Sequence, residues 1–466
     1  MKEHSAHSTL YLALLHLRRP ALILVLSLFV SLPVFAQRPR PDRPYRGLFG
    51  GNAADPTSTQ QFDLSVSLSG AYDDNVFAER GQSVTTDPRY LKSGAYGSGN
   101  LSLDYTKKVG KGSVDMSAGT TYRYYPTIKE LNGFSYFASV GFTANLGRRT
   151  TLRATESGSY TPYFAFGLFP GLTTRQPGEV APIDPQRPLV SQTAVMASSS
   201  AALDHRLTPR SSLTADYNFS YTDYQAQARP YTNYAAGAGF SYRTSPRSSI
   251  RLGYHFRRAT LGYVAVNRPV DSHDLDIGLD YSRPLSRSRK ATIGFKTGSS
   301  VYRSFDPLDA ASTTPGSTAS AADLYRRTHY TATGSAFLTW QIRRSWSARA
   351  NYQRGLQFVE GFPDPFFADS VSAIATGFLG SRSRLNFSAA YTNGQMGITI
   401  NARPYTTASG VASYQVALSR SIAVFTEYDY YHYRFDPSVQ LPFGMSRSMD
   451  RQSVKVGLNL WAPLLR

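Results

Sequence analysis

The sequence predicts an all-β fold: a transmembrane, antiparallel, up-and-down β-barrel of about 18 strands. Three observations predict it. From Phe62 onward, apolar and polar residues alternate with period two in one segment after another. The connections between these segments alternate between short and long. The composition also fits neither of the commoner alternatives. Charged residues make up 17% of the 466-residue chain, below the roughly 25% usual in soluble domains. Helical membrane proteins carry apolar spans of about 20 residues, and only one such stretch is present, at the N-terminus.

That stretch reads as an address. Arg18 and Arg19 precede the apolar run Ala21 to Val30, and Val34-Phe35-Ala36 supplies an A-x-A-like cleavage site. Residues 1–36 are therefore expected to be a secretory signal peptide. Residues 37–59, rich in Pro and Arg without periodicity, read as a flexible periplasmic tether. Residues 60–466 form the barrel domain.

Within it, Leu213, Ala215, Tyr217, Phe219 and Tyr221 alternate with Thr214, Asp216, Asn218, Ser220 and Thr222. Leu275, Ile277, Leu279 and Tyr281 repeat the pattern, as do Val454, Val456, Leu458 and Leu460. Strands are predicted to start near residues 60, 94, 113, 134, 150, 193, 211, 231, 248, 273, 290, 329, 345, 369, 383, 405, 421 and 451. The segments at 193–204 and 369–380 show the weakest alternation. Each predicted strand is about 11–15 residues, enough for a tilted span, which needs about 9–11. Sandwich strands average about 5–6 residues. Short connections near 107–112, 147–150, 206–210, 244–247, 284–289, 343–344, 381–383 and 419–420 are expected to be periplasmic turns. Long ones at 75–93, 164–190, 264–272, 305–328, 359–368 and 435–450 are expected to be external loops.

Closure is the physical reason for a barrel, because lipid offers a sheet edge no hydrogen bonds. Aromatic girdles are expected at both interfaces. Tyr72, Tyr122, Tyr124, Tyr221, Tyr224, Tyr231, Tyr302, Tyr330 and Tyr430 fall near the outer ends, and Tyr105, Tyr242, Tyr281, Trp340, Trp346 and Trp461 near the inner ends.

The net charge is +19, and the excess gathers in the short turns. Lys107, Lys108, Lys111, Arg148, Arg149, Arg206, Arg210, Arg247, Arg287, Arg289, Arg343, Arg344, Arg382 and Arg420 sit there without an acidic companion. Such a rim attracts anionic headgroups of outer-membrane lipids or guides an anionic solute to a pore. Nucleic acid is not an expected partner of an exported chain with its charge in membrane-side turns.

A barrel of 16–18 strands normally leaves an aqueous lumen. Arg123, Arg251, Arg257, Lys296 and Arg349 are predicted to face it, opposed by Asp216, Asp274, Asp276, Glu427 and Asp429. Arg153, Asp104, Asp115 and Asp280 belong to the same face. Charged lumen residues tune selectivity, or pair among themselves as a hydrated wall. A constriction is expected from a long loop, first Phe169 to Pro188 and second Asp306 to Arg327.

Enzymatic chemistry is not expected. The chain has no Cys, and His255, His273, His329 and His432 lack a partner at H-E-x-x-H spacing. No metal site and no cofactor is predicted. Asp73-Asp74-Asn75 supplies clustered oxygens but no calcium-loop spacing, so turn chemistry at a strand end is expected.

The run Gly70-Ala71-Tyr72-Asp73-Asp74-Asn75-Val76-Phe77 resembles the opening signature of a family of outer-membrane β-barrel porins with a Tyr-Asp-Asp-Asn-Val motif. Many members accompany exopolysaccharide genes. The resemblance implies a porin-like barrel and traffic of a polymer, without naming a substrate. Val454 to Trp461 also resembles the closing strand of outer-membrane barrels, although Ala462 to Arg466 continue beyond it. The function expected is passage of small polar solutes, or export of a surface polysaccharide, across the Gram-negative outer membrane. The alternative is a closed structural or adhesive barrel acting through its external loops. Expected partners are outer-membrane lipids, the barrel-assembly machinery and a polar solute or anionic polysaccharide.

Overall fold

In the computed structural model, the described residues are 59–75, 94–126, 132–162, 193–224, 230–260, 269–286, 289–305, 326–343, 345–359, 362, 365–380, 382–397, 402–419, 421–439, 441 and 446–465. The predicted signal peptide, nearly all of the tether, the candidate plug segment 169–188 and residues 306–325 of the candidate plug segment 306–327 lie outside them.

Eighteen strands form one sheet. They are β1 (Gln60–Asp73), β2 (Gly94–Val109), β3 (Gly112–Tyr124), β4 (Gly133–Asn145), β5 (Thr150–Thr161), β6 (Ala194–Arg206), β7 (Ser211–Tyr224), β8 (Tyr231–Arg243) and β9 (Ser248–Thr260). There follow β10 (Pro269–Ser286), β11 (Arg289–Phe305), β12 (Arg326–Arg343), β13 (Trp346–Gln357), β14 (Phe366–Phe378), β15 (Ser383–Met396), β16 (Arg403–Ala417), β17 (Ile422–Phe435) and β18 (Ser448–Leu465). Each strand pairs antiparallel with its neighbours in sequence, and β1 pairs with β18 as well as with β2, so the sheet has no edge. The two weakly alternating segments are full strands, β6 and β14. Their small residues (Ala197, Ala201, Ala373, Ala375) blur the polarity contrast without breaking the ladder.

Alternation sorts the side chains. On β10 the outward Leu275, Ile277 and Tyr281 are exposed, while Asp274, Asp276 and Asp280 point to the lumen. On β18, Val454, Val456, Leu458 and Leu460 face outward. Such an apolar exterior fits hydrocarbon and no aqueous surface of this size. Three residues of the predicted girdles are placed differently. Tyr231 and Tyr302 are buried on the lumen face. Trp461, in register with Ser65 of β1, packs inward against Ala417 and Ala423. The reason is parity: outward residues are even on β8 and β18 (Tyr234, Phe240; Val456, Leu458) and odd on β11 (Ile293, Phe295). The side chain of Tyr224 lies outside the described set.

The short connections share a geometry. Leu207 N and Thr208 N both donate to Ser211 O (3.1 and 3.2 Å), as Thr244 N and Ser245 N do to Ser248 O (3.1 and 3.2 Å). Leu418 N and Ser419 N repeat this on Ile422 O (3.0 and 3.1 Å). The Thr208 and Ser245 hydroxyls accept from the amides of Arg210 and Arg247 (3.2 and 3.1 Å), the turn role expected of Ser and Thr. The β2–β3 turn is tighter and needs Gly110 at φ 55°. Lys107, Lys108, Arg206, Arg289 and Arg343 therefore belong to strand ends rather than to turns.

One outward residue breaks the apolar band. Glu156, in register with Val140 on one side and Ser199 on the other, faces outward halfway along β5. It accepts a 2.5 Å hydrogen bond from the Ser199 hydroxyl. Other outward ionisable side chains among the described residues, such as the Arg258–Asp271 pair, lie towards strand ends.

Candidate functional site: the lumen face and the barrel seam

Register places all ten predicted lumen residues on the inward face. Four of the ten, Arg251, Lys296, Asp276 and Glu427, are in ion pairs. Arg251 meets Asp280 at 2.7 Å, Lys296 meets Asp276 at 3.1 Å, and His255 approaches the same Asp276 oxygen at 3.6 Å. Lys455 meets Glu427 at 2.8 Å, and Arg153 pairs with Asp204. Gly237 makes room between two of these groups. A Cβ there would lie 2.5 Å from both Asp216 Oδ1 and His255 Nδ1, so only glycine lets both lean over it. Arg349 donates to Asn351 (2.9 Å), and the buried Asp429 accepts from Ser453 (3.3 Å). Among these residues the wall is mixed in sign and partly self-paired; Arg257, Arg349 and Asp429 have neutral hydrogen-bond partners, and Arg123 bonds to a tyrosine hydroxyl.

Towards the long-loop end the lumen face turns apolar. Tyr231, Tyr302, Phe366, Tyr405, Tyr433 and Phe435 are buried in one cluster. The β13–β14 connection folds onto it: Phe362 is fully buried and stacks on Phe435 (centroids 5.6 Å, 27°) and edge-on to Phe366 (4.9 Å, 84°). Arg257, on β9, reaches this connection from across the wall, donating to Leu356 O (3.4 Å) with its guanidinium 5.3 Å from the Phe358 ring. The described inward-packing connections are thus this one and β17–β18, whose Val439 joins the same cluster, whereas the sequence pointed to 169–188 and 306–327. The signal was present in Phe358, Phe362, Phe366 and Phe367, too aromatic for a solvent-exposed loop.

The motif at the end of β1 closes the barrel. Asp73 is fully buried and Arg451 of β18 is 2% exposed. Arg451 Nε donates to both Asp73 oxygens (3.1 and 2.8 Å), and Nη2 donates to Oδ2. Asp73 Oδ1 also accepts from the Asn75 amide at 3.0 Å, an Asx turn. Asp74 Oδ1 accepts from Gln452 N (2.7 Å), Asp74 N donates to Gln452 O (3.0 Å), and Asn75 Nδ2 donates to Asp450 O (2.8 Å). Three consecutive motif residues therefore stitch the first strand to the last. Beside them stand Tyr96, Arg123 and Tyr125, all buried. Arg451, Tyr96 and Tyr125 were not among the predicted residues. The period-two count on β18 marks Arg451 as inward, but nothing local pairs it with a residue 378 positions away.

At the opposite rim, arginine recurs as the last turn residue. The carbonyls of Arg149, Arg210, Arg247 and Arg382 accept from Arg206, Arg243, Ser282 and Ala417 amides (2.7–2.8 Å), extending each ladder into the next hairpin. Outside the span, Asp436 opens the β17–β18 connection. The Ser438 hydroxyl and amide donate to it (2.5 and 2.9 Å) and hold its carboxyl below the usual carboxylate range.

A closed sheet with an apolar exterior and a charged interior defines the class, a transmembrane β-barrel. Comparison with solved structures finds barrels of similar span. Pseudomonas aeruginosa OccK2 (OpdF), solved in complex with glucuronate, has a TM-score of 0.43 at 11% identity, covering 87% of this chain and 98% of that one. Acinetobacter baumannii OccAB2 gives 0.43 at 10%, and Pseudomonas aeruginosa OpdQ 0.42 at 11%, each covering 87% of this chain and 98% of the other. No family model and no curated protein matches the sequence.

Proposed function

We propose that this chain is a porin-like channel of the Gram-negative outer membrane, passing small polar solutes by size and charge without covalent chemistry. The observation that carries the reading is the pairing of β1 with β18 around a charged lumen face. A sheet whose every strand is paired can sit in hydrocarbon, and 18 strands exceed what lumen side chains alone can fill. By the short-turn rule the arginine-bearing rim is periplasmic, and the apolar belt with its inward connection is the outer mouth. The rim favours anionic cargo moving outward, as in export of an acidic surface polysaccharide, and it equally suits contact with anionic lipid headgroups. Delivery would use the N-terminal leader and the barrel-assembly machinery.

The test is planar-bilayer recording of the purified protein. Stepwise openings are expected, and a silent bilayer with correctly folded protein would favour the closed, loop-displaying alternative. Charge filtering is tested by the R251E/R257E double variant, which leaves Asp280 without its cation and adds two carboxylates to the wall. A reversal potential shifted towards cations is expected. An unchanged one in an open channel counts against the lumen charges as the filter.

A further inference from the structure

At the long-loop end of the seam, buried donors meet without enough acceptors. Arg123 is 2% exposed; its Nη1 donates to the Tyr125 hydroxyl (3.0 Å), and its guanidinium lies 4.8 Å from the Tyr96 ring centre. Among the described residues, its Nε and Nη2 have no hydrogen-bond partner. The Tyr96 hydroxyl and Arg451 Nη1 are buried and likewise unpartnered among the described residues. The Tyr96 and Tyr125 rings lie 5.0 Å apart, tilted by 35°, and Arg451 lies within electrostatic range of both. Among the described residues these two guanidiniums share one ion-paired carboxylate, Asp73, whose oxygens are already engaged by Arg451 and the Asn75 amide.

Buried polar groups in folded proteins are hydrogen-bonded, and an exception points to a missing group. Aromatic faces attract a guanidinium but accept nothing useful from its in-plane N–H groups. Arg251, Lys296 and Lys455 on the same wall each hold a carboxylate; Arg123 does not. We propose that Arg123, Tyr96 and Arg451 form an oxyanion-binding site in the lumen wall beside the seam. The Nε–Nη2 edge of Arg123 is the fork that matches two oxygens of a carboxylate, sulfate or phosphate. Tyr96 Oη and Arg451 Nη1 supply further donors to the same group. A neutral sugar or a cation leaves the excess positive charge uncompensated, so an anion is the class selected. The site needs no conducting pore, so the bilayer recording and the following titration fail independently.

Sodium sulfate and sodium acetate are titrated calorimetrically into the full-length protein in detergent, at constant ionic strength in sodium chloride. One oxyanion per chain is expected. R123Q should weaken binding at least tenfold, and R123K should weaken it less, since it keeps the charge and loses the fork. Y96F, which changes no charge, should weaken it several-fold and carries the test if R123Q fails to fold. A free-ion site binds acetate and tri-galacturonate alike, whereas a site for the charged group of a larger chain prefers the latter at least tenfold. Absence of saturable heat with the wild type, or wild-type affinity in both folded R123Q and folded Y96F, overturns the proposal.

Discussion

Replacing Asp73 with Asn leaves the shape of the seam intact and removes the buried carboxylate that pairs with Arg451. That guanidinium is 2% exposed and directs three hydrogen bonds at the Asp73 carboxylate. Charge-assisted hydrogen bonds contribute about 1.5–3 kcal/mol each, but they share one desolvation cost and do not add. The better guide is the loss of one partner from a buried ion pair, about 3–5 kcal/mol. D73N should therefore lower the unfolding free energy by about 3–5 kcal/mol. Asp74→Ala, which breaks a single 2.7 Å contact to the Gln452 amide at an exposed position, should cost about 1 kcal/mol. The assay is denaturant unfolding in lipid vesicles followed by tryptophan fluorescence. Trp461 lies in register with Ser65 across the seam and reports its opening. A D73N loss under about 1 kcal/mol, with the slope unchanged, would refute the reasoning. So would a D73N/R451M double variant no more stable than D73N alone, because removing the stranded charge should restore much of the loss.

Two further outcomes follow from the same structure. Replacing residues 358–364 by a short Gly/Ser link removes Phe362 from its stack on Phe435 and Phe358 from beside the Arg257 guanidinium; single-channel conductance should rise, and an unchanged value would place the narrowest point elsewhere. Glu156→Leu exchanges an outward mid-span carboxylate for a side chain lipid accepts. Stability should increase by about 1–2 kcal/mol, below the roughly 2–4 kcal/mol that a midplane Lys or Arg costs. A decrease in vesicle unfolding experiments would mean that the carboxylate has a stabilising partner in the membrane.

The strands were legible because a membrane barrel imposes one rule at every position. Predicted starts at residues 60, 94, 150, 211, 231, 248 and 383 coincide with the observed ones, and most others fall within a few residues. Larger offsets occur where polarity stops alternating near the loops. β10 begins at Pro269 rather than His273, and β14 at Phe366 rather than Asp369. Tyr231 and Tyr302 were misplaced for a related reason. Height along a strand says that a ring lies near an interface, whereas its face follows from counting to outward apolar positions such as Phe240 or Phe295. The lumen residues were legible by that same parity. Their partners were not, since Arg251–Asp280 and Lys296–Asp276 depend on inter-strand register. The seam cluster was least legible. Asp73 marks itself by its motif, but Arg451 becomes its neighbour only through closure of the entire ring.

That separation orders events during assembly. The other strand pairings join consecutive segments and can zip up as each hairpin emerges, with modest loop entropy. The stitch between the first and last strands spans 378 positions and is unavailable until both are present. Until then Asp73 and Arg451 remain hydrated, and the half-made sheet keeps two raw edges that invite mispairing. A chain interrupted anywhere before the final segment has no means of sealing itself. Asp73, Asp74 and Asn75 thus find their partners only once the final strand is in place.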